Sequence, residues 1–172
     1  MVRITKVHTG AGDGGKTRLL DGTEVGKEDP RVRLYGTIDE VNSQLGVARM
    51  ELNRMPGVPV EARNSADEAM GRVQQERFDI GGECTCTPGK LPEQMVLIGS
   101  DAGDRLVAEM DSWLDDLEPL ESFIMPTGSP PAATLHVART VARRAARDAC
   151  SPRETDGDDA VRGGVATYRN SH

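Results

Sequence analysis

Residues 10–17 run Gly10-Ala11-Gly12-Asp13-Gly14-Gly15-Lys16-Thr17. This spacing satisfies G-x-x-x-x-G-K-S/T, which cradles phosphate with backbone N–H groups and a lysine. The P-loop form of that chemistry needs a buried strand before the loop and a helix opening at the lysine, its N-terminus facing the phosphates. Val2 to Val7 is a conceivable strand, but Gly22, Gly26 and Pro30 break the stretch that should be the helix. No later run of four apolar residues ends in an aspartate to hold magnesium. Three readings stay open: a P-loop, a looser glycine-rich loop in which Lys16, Thr17 and Arg18 wrap a polyphosphate, and a flexible N-terminal arm.

A second pattern also suits an anion. Arg139, Arg143 and Arg147 recur every four residues, so on a helix their guanidiniums stack along one side. Arg144 is offset from Arg143 by about 100°. Asp148 is the sole acid between His136 and Cys150, whereas ordinary solvated helix faces mix signs. Such a row makes charge-assisted, bidentate bonds to phosphate oxygens; the plain alternative is a basic surface strip. Cys84-Thr85-Cys86 lacks further Cys or His at zinc-ligand spacing, so it reads as two small residues at a helix end. His136 reads as a packed or capping residue.

These residues need elements to position them. The 172 residues suit one domain at a prior of about 150 residues each. Five aromatics leave Leu, Val, Ile, Met and Ala to build the core, a palette for helices rather than sheet. One helix is expected to open at the Thr37-Ile38-Asp39-Glu40 capping box, with Val41, Leu45, Ala48 and Leu52 as its apolar stripe. A second opens at Ser65-Ala66-Asp67-Glu68 and carries Met70, Val73 and Ile80, interrupted by Arg77. A third spans about Asp101 to Leu117 on Leu106, Met110, Trp113 and Leu117. A fourth follows Ser129-Pro130-Pro131 and runs to about Cys150, burying Leu135, Ala138, Ala142, Ala145 and Ala149 opposite the arginine row. Residues 1–35 read as a glycine-rich arm with no helical period. Residues 151–172 read as a polar, disordered tail.

Charge and length exclude other classes. Twenty-one basic against 28 acidic residues give a net charge of −7, wrong for a general nucleic-acid binder. No stretch approaches the ~20 apolar residues of a membrane span, and Met1 to Lys6 lacks the apolar core of a signal peptide. Three cysteines are too few for a disulfide framework, which suits a reducing cytoplasm.

Two longer motifs resemble a known family. Thr9-Gly10-Ala11-Gly12-Asp13 with Gly15 and Thr17, then Asp29-Pro30-Arg31-Val32 leading into Tyr35-Gly36-Thr37-Ile38-Asp39-Glu40-Val41-Asn42-Ser43, resemble the N-terminal half of the propanediol-utilisation type of ATP:cob(I)alamin adenosyltransferases. Phe123-Ile124-Met125-Pro126-Thr127-Gly128-Ser129, followed by Leu135 to Val141 and Arg143-Arg144, resembles their second signature. The resemblance covers about residues 3–150.

It implies an all-α, up-and-down helical bundle with a glycine-rich N-terminal arm, assembled as a homotrimer. ATP and the corrinoid would meet at subunit interfaces. The family transfers the 5′-deoxyadenosyl group of ATP to the cobalt of cob(I)alamin and releases triphosphate. By resemblance, Thr9, Gly10, Ala11, Gly12, Thr17, Arg18 and Lys27 hold the nucleotide with Mg²⁺, and Arg143, Arg144 and Arg147 continue that site. Asp39 and Arg139 form a charge pair between subunits, and Phe123 sits against the corrin and displaces its lower axial ligand. A cobalamin reductase or a cobalamin-dependent enzyme is the implied protein partner.

The sequence also departs from the family. Position 10 is Gly where the family often has a basic residue, position 11 is Ala where it often has Thr, and Ala146 replaces the Glu usual between the arginines. After Cys150 the family's Asn-Arg-Leu-Ser-Asp helix is absent, as from a frameshifted or degenerate end. The expected division is therefore an adenosyltransferase-like bundle over 1–150 with four recognisable helices, then a tail over 151–172. A member of this kind that binds nucleotide or corrinoid without turnover is the alternative function, and a P-loop NTPase a remote one.

Overall fold

The computed structural model describes residues 12–115 and 117–152. Thr9, Gly10 and Ala11 of the expected nucleotide loop lie outside them, as do residues 153–172 of the expected tail. A short antiparallel hairpin, β1 (Lys16–Arg18) and β2 (Glu24–Gly26), precedes four helices. These are α1 (Pro30–Arg54), α2 (Val60–Cys84), α3 (Asp101–Leu114) and α4 (Pro130–Asp148). The helical bundle is as expected from composition.

Both capping-box expectations fail, for one reason. Helix α1 starts seven residues before Thr37, because Asp29 caps it (Arg31 N to Asp29 Oδ1, 2.8 Å) and Pro30 supplies a helical φ in its first turn. Thr37 is instead a buried mid-helix residue whose hydroxyl donates to Asp148 on α4 at 2.8 Å. Helix α2 likewise starts at Val60, after Pro59, rather than at Ser65. The apolar stripes were real; the polar quartets lay inside longer helices.

Helix α1 is the centre of the bundle. Against α2 its contacts run antiparallel: Arg49 meets Asp67 at 2.8 Å, and the Asn42 carbonyl accepts from Gln74 Nε2 at 3.0 Å. Against α4 they also run antiparallel, through Thr37 with Asp148 and Glu40 with Arg144. Leu34, Ile38, Val41 and Leu45 bury against Ala138, Val141, Ala142, Ala145 and Ala149 of α4. Small side chains on α4 let the two backbones approach closely.

Three stripe members are exposed. Leu135 sits at the edge of the α4 stripe and is exposed, while Val141 takes a core place. On α3 only Ala102 and Gly103 are buried and Leu106 packs on the core; Trp113 and Leu117 are exposed, and the helix ends at Leu114. Helix α3 is held to α2 by the ion pairs Arg72–Glu109 and Arg105–Glu76. Its stripe therefore faces outward along most of its length. Ser151 and Pro152, the start of the expected tail, are helical, and Pro152 is fully buried.

Candidate functional site

The hairpin shows what Gly12 to Lys27 can do. Lys16 opens a strand, not a helix, and its ammonium bonds Glu24 at 2.9 Å. The P-loop reading requires a helix N-terminus at that point, so the geometry rules it out. Gly12 lies against Lys27: a Cβ at Gly12 would stand 3.1 Å from Lys27 Nζ and 3.3 Å from the Lys16 carbonyl. A side chain at Gly12 would require the end of Lys27 to give way by a few tenths of an ångström. Strand alternation sends Arg18 and Thr17 to opposite faces, Arg18 exposed beside Glu24 and Thr17 half-buried opposite Val25.

The tip of the hairpin is bolted to the end of α2. Asp21 accepts from Thr23 N (2.9 Å), from Thr87 N (2.9 Å) and from the Thr87 hydroxyl. These donors, the Thr87 hydroxyl foremost, hold its carboxyl well below the usual carboxylate range. Leu20 N donates to Thr85 O at 3.0 Å. Gly22, with φ +84°, makes the Asp-Gly turn that aims Asp21 at Thr87. From the other side, Arg31 Nη1 donates to Cys86 O at 3.0 Å.

A cleft of about 490 Å³ opens beside this joint. Tyr35, Ile38, Asp39 and Asn42 of α1 form one wall, and Arg77, Phe78, Gly81 and Gly82 of α2 the other; Leu20, Thr85, Met95 and Val96 close its end. The walls are mainly apolar with a few polar groups, the make-up of a small-molecule site. Asn42 Oδ1 is a buried acceptor with no partner among the described residues. Burial raises the Tyr35 phenol, aided by nearby Asp29. Of the predicted site residues, only Asp39 lines this cleft. Arg77 was the hidden signal: a charge breaking the α2 seam turns out to be buried at the cleft wall. Nothing in the local pattern marked Leu20, Phe78 or Val96.

The remaining candidates lie elsewhere in the chain. Arg139, Arg143, Arg144 and Arg147 are all exposed on α4. Arg144 pairs with Glu40 of α1, and Arg147 donates to the Arg143 carbonyl at 3.1 Å. No hydrogen bond or ion pair among the described residues joins this face to the hairpin, or Asp39 to Arg139 within the chain. Phe123 stands fully exposed in the segment between α3 and α4, with Ile124 and Met125 also exposed. Cys84 and Cys86 are buried at the end of α2, the Cys84 thiol pushed up to about 12 chiefly by burial. The described residues contain no cluster of three or more acidic, His or Cys side chains able to hold a metal, and no helix long and apolar enough to cross a membrane.

A family profile described as cobalamin adenosyltransferase matches residues 7–170. A cobalamin adenosyltransferase of Cupriavidus metallidurans is 38% identical over 149 residues, covering 84% of this chain and 71% of that one. A corrinoid adenosyltransferase of Mycobacterium leprae is 37% identical over 153 residues, covering 86% and 75%. Among solved structures, a variant PduO-type ATP:corrinoid adenosyltransferase from Lactobacillus reuteri, complexed with cobalamin and ATP, superposes with a TM-score of 0.82. It is 25% identical, and the match covers 96% of this chain and 86% of that one.

Proposed function

The chain belongs to the cobalamin adenosyltransferase family, and on that premise we propose that it transfers the 5′-deoxyadenosyl group of ATP to the cobalt of cob(I)alamin. The observation that carries this is the extent of the family match: residues 7–170 take in the hairpin, the cleft and the arginine face together. In the reaction the Co(I) electron pair attacks C5′, a Co–C bond forms, and the C5′–O5′ bond breaks with its electrons leaving on triphosphate. Cob(I)alamin is itself the nucleophile, so no side chain has to supply one or take a proton. The protein's task is to hold C5′ in line with cobalt and to neutralise the departing triphosphate.

The residues suit those tasks. Gly12 presents backbone beside the Lys27 ammonium, and Thr17 and Arg18 extend the hairpin surface toward a polyphosphate. Arg143 and Arg147 offer exposed guanidiniums for the same phosphates. Mg²⁺ would be carried mainly by the triphosphate oxygens, as is usual for this ion, and would add charge neutralisation there. The mainly apolar cleft beside Asp39 fits part of a corrinoid, and Phe123, an apolar ring standing clear of its own subunit, is suited to cover a cobalt face and exclude water.

The hairpin and the arginine face belong to one site if they meet across subunits, as in a homotrimer. Trp113, Leu117, Leu120 and Ile124, all exposed within one stretch of sequence, support that reading, because apolar side chains left uncovered in one subunit suit an interface between copies. Asp39 and Arg139 are available to pair between copies. A reductase that supplies Co(I), or an enzyme that uses the product, is the proposed partner, and the cytoplasm the proposed compartment. The test is to mix the chain with ATP, Mg²⁺ and chemically reduced cobalamin, then measure adenosylcobalamin and triphosphate. Stoichiometric formation of both supports the proposal. Absence of turnover at saturating ATP overturns it, and binding without turnover would favour the binding-only alternative.

A further inference from the structure

The hairpin has two working ends. At one end Gly12 lies under Lys27, and the Lys27 amide donates to the Gly15 carbonyl at 2.9 Å. At the other end Leu20 forms part of the cleft wall, with its amide bonded to the Thr85 carbonyl, and Thr85 lines the same cleft. Between them runs a paired ladder, Lys16 with Gly26, Thr17 with Val25 and Arg18 with Glu24. From Gly15 to Leu20 an extended chain spans about 16 Å at most. The three-pair ladder and the Leu19–Thr23 turn bond join the two ends, so a displacement at the Lys27 end is passed toward Leu20.

What fastens the second end is Asp21. Its carboxylate takes both the amide and the hydroxyl of Thr87, just past α2, while holding its own turn through Thr23 N. Lys90 adds a longer bond to the Thr23 hydroxyl at 3.4 Å. We propose that Asp21 is a positioning residue that locks the phosphate-binding hairpin to the cleft wall, so that occupation of the nucleotide end and of the cleft reinforce one another. This rests on the adenosyltransferase reading above, which makes ATP and a corrinoid the two ligands. Asp21 touches neither ligand; it acts through Leu20 and Thr87. An ionised carboxylate is the right group because both Thr87 donors need acceptors at once, and those donors in turn favour its charged form.

Linkage supplies the measurement, since each ligand must change the other's affinity by the same factor. ATP with Mg²⁺ is titrated calorimetrically into the full chain with and without aquacobalamin, whose oxidised cobalt cannot attack C5′. The wild-type chain is expected to bind ATP about fivefold or more tightly when the corrinoid is present, within the usual range for coupled sites. In Asp21→Ala the factor falls to about one while each ligand alone binds within about threefold of wild type. Asp21→Asn, which keeps an acceptor oxygen, restores part of the coupling. A merely structural role would lower the melting temperature and both affinities but leave the factor intact, and that result overturns the proposal. So does a wild-type chain that binds both ligands with no coupling. A wild-type chain that binds neither ligand refutes the adenosyltransferase reading itself. If Asp21→Ala fails to fold, Thr87→Val, which removes one of the two Thr87 donors, must reduce the factor.

Discussion

Replacing Leu34 by alanine tests where the first helix begins and what it supports. Leu34 lies in α1 ahead of Thr37, is 2% exposed, and belongs to the cluster shared with Val141 and Ala145 of α4. Removing three buried carbons forfeits about 2.4 kcal/mol of transfer free energy at about 0.8 kcal/mol each. The cavity left between α1 and α4 raises the loss to about 3–4 kcal/mol, within the range seen for buried Leu→Ala changes. For a chain of this size each kcal/mol shifts the melting temperature by about 2–4 °C, so a fall of about 6–16 °C is expected. Urea denaturation followed by far-UV circular dichroism, at one fixed protein concentration because subunit association would add to stability, gives the free energy directly. Leu20→Ala, at an exposed position, is the control and should cost under about 0.5 kcal/mol. If Leu34→Ala also cost under about 1 kcal/mol, Leu34 would lie in a loose arm. The Thr37–Glu40 quartet would then be a true helix start, and the Asp29-Pro30 cap would be wrong.

Other outcomes follow from the same contacts. Arg143→Ala should weaken ATP binding by about 10–100-fold, the worth of a charge-assisted hydrogen bond, with an unchanged melting temperature; Lys16→Ala, whose ammonium is held by Glu24, should change it under about threefold, and the reverse ranking in calorimetric titration would contradict the phosphate assignment. Phe123→Ala should leave stability within about 0.5 kcal/mol of wild type, since the ring touches nothing in its own chain, yet lower kcat at least about tenfold in the adenosylation assay. Iodoacetamide at pH 8, read by peptide mass spectrometry, should modify exposed Cys150 and spare buried Cys84 and Cys86, because burial keeps both thiols protonated. The Arg49 guanidinium holds the Asp67 carboxyl below its ordinary range. The stabilisation from this pair is therefore complete above about pH 4 and is lost as pH falls through the folded-state value. Asp67→Asn should lower the melting temperature at pH 7 and flatten its decline below about pH 4.

Much of the fold was legible before any coordinates. Val41, Leu45, Ala48 and Leu52 bury as their spacing requires, and the alanines of α4 face α1 while the arginines face outward. Helix starts were less legible. A Ser/Thr-x-x-Glu quartet satisfies orphan amides only at a helix end, and nothing local distinguishes an end from an interior. The decision came from Asp29-Pro30 and from Pro59, each fixing a φ upstream of the quartet. On α3 a regular stripe carried no information about whether a partner exists to cover it, and within one chain most of it is uncovered.

The site divided in the same way. Residue types and order were enough to identify the family, because the glycine-rich loop, the Tyr35–Ser43 run and the arginine row are chemical requirements written as contiguous words. The sequence by itself thus determined a helical bundle, a row of arginines along one side of α4 and a loop that is not followed by a helix. Only the tertiary structure decided that Lys16 starts a strand, that Arg77 is drawn into a cleft wall, and that Asp21 reaches Thr87, 66 residues on. The physical reason is range. Periodicity and capping act over a few residues along the chain, whereas a cleft and a clamp exist only once α1, α2 and the hairpin have been brought together by the burial of apolar surface.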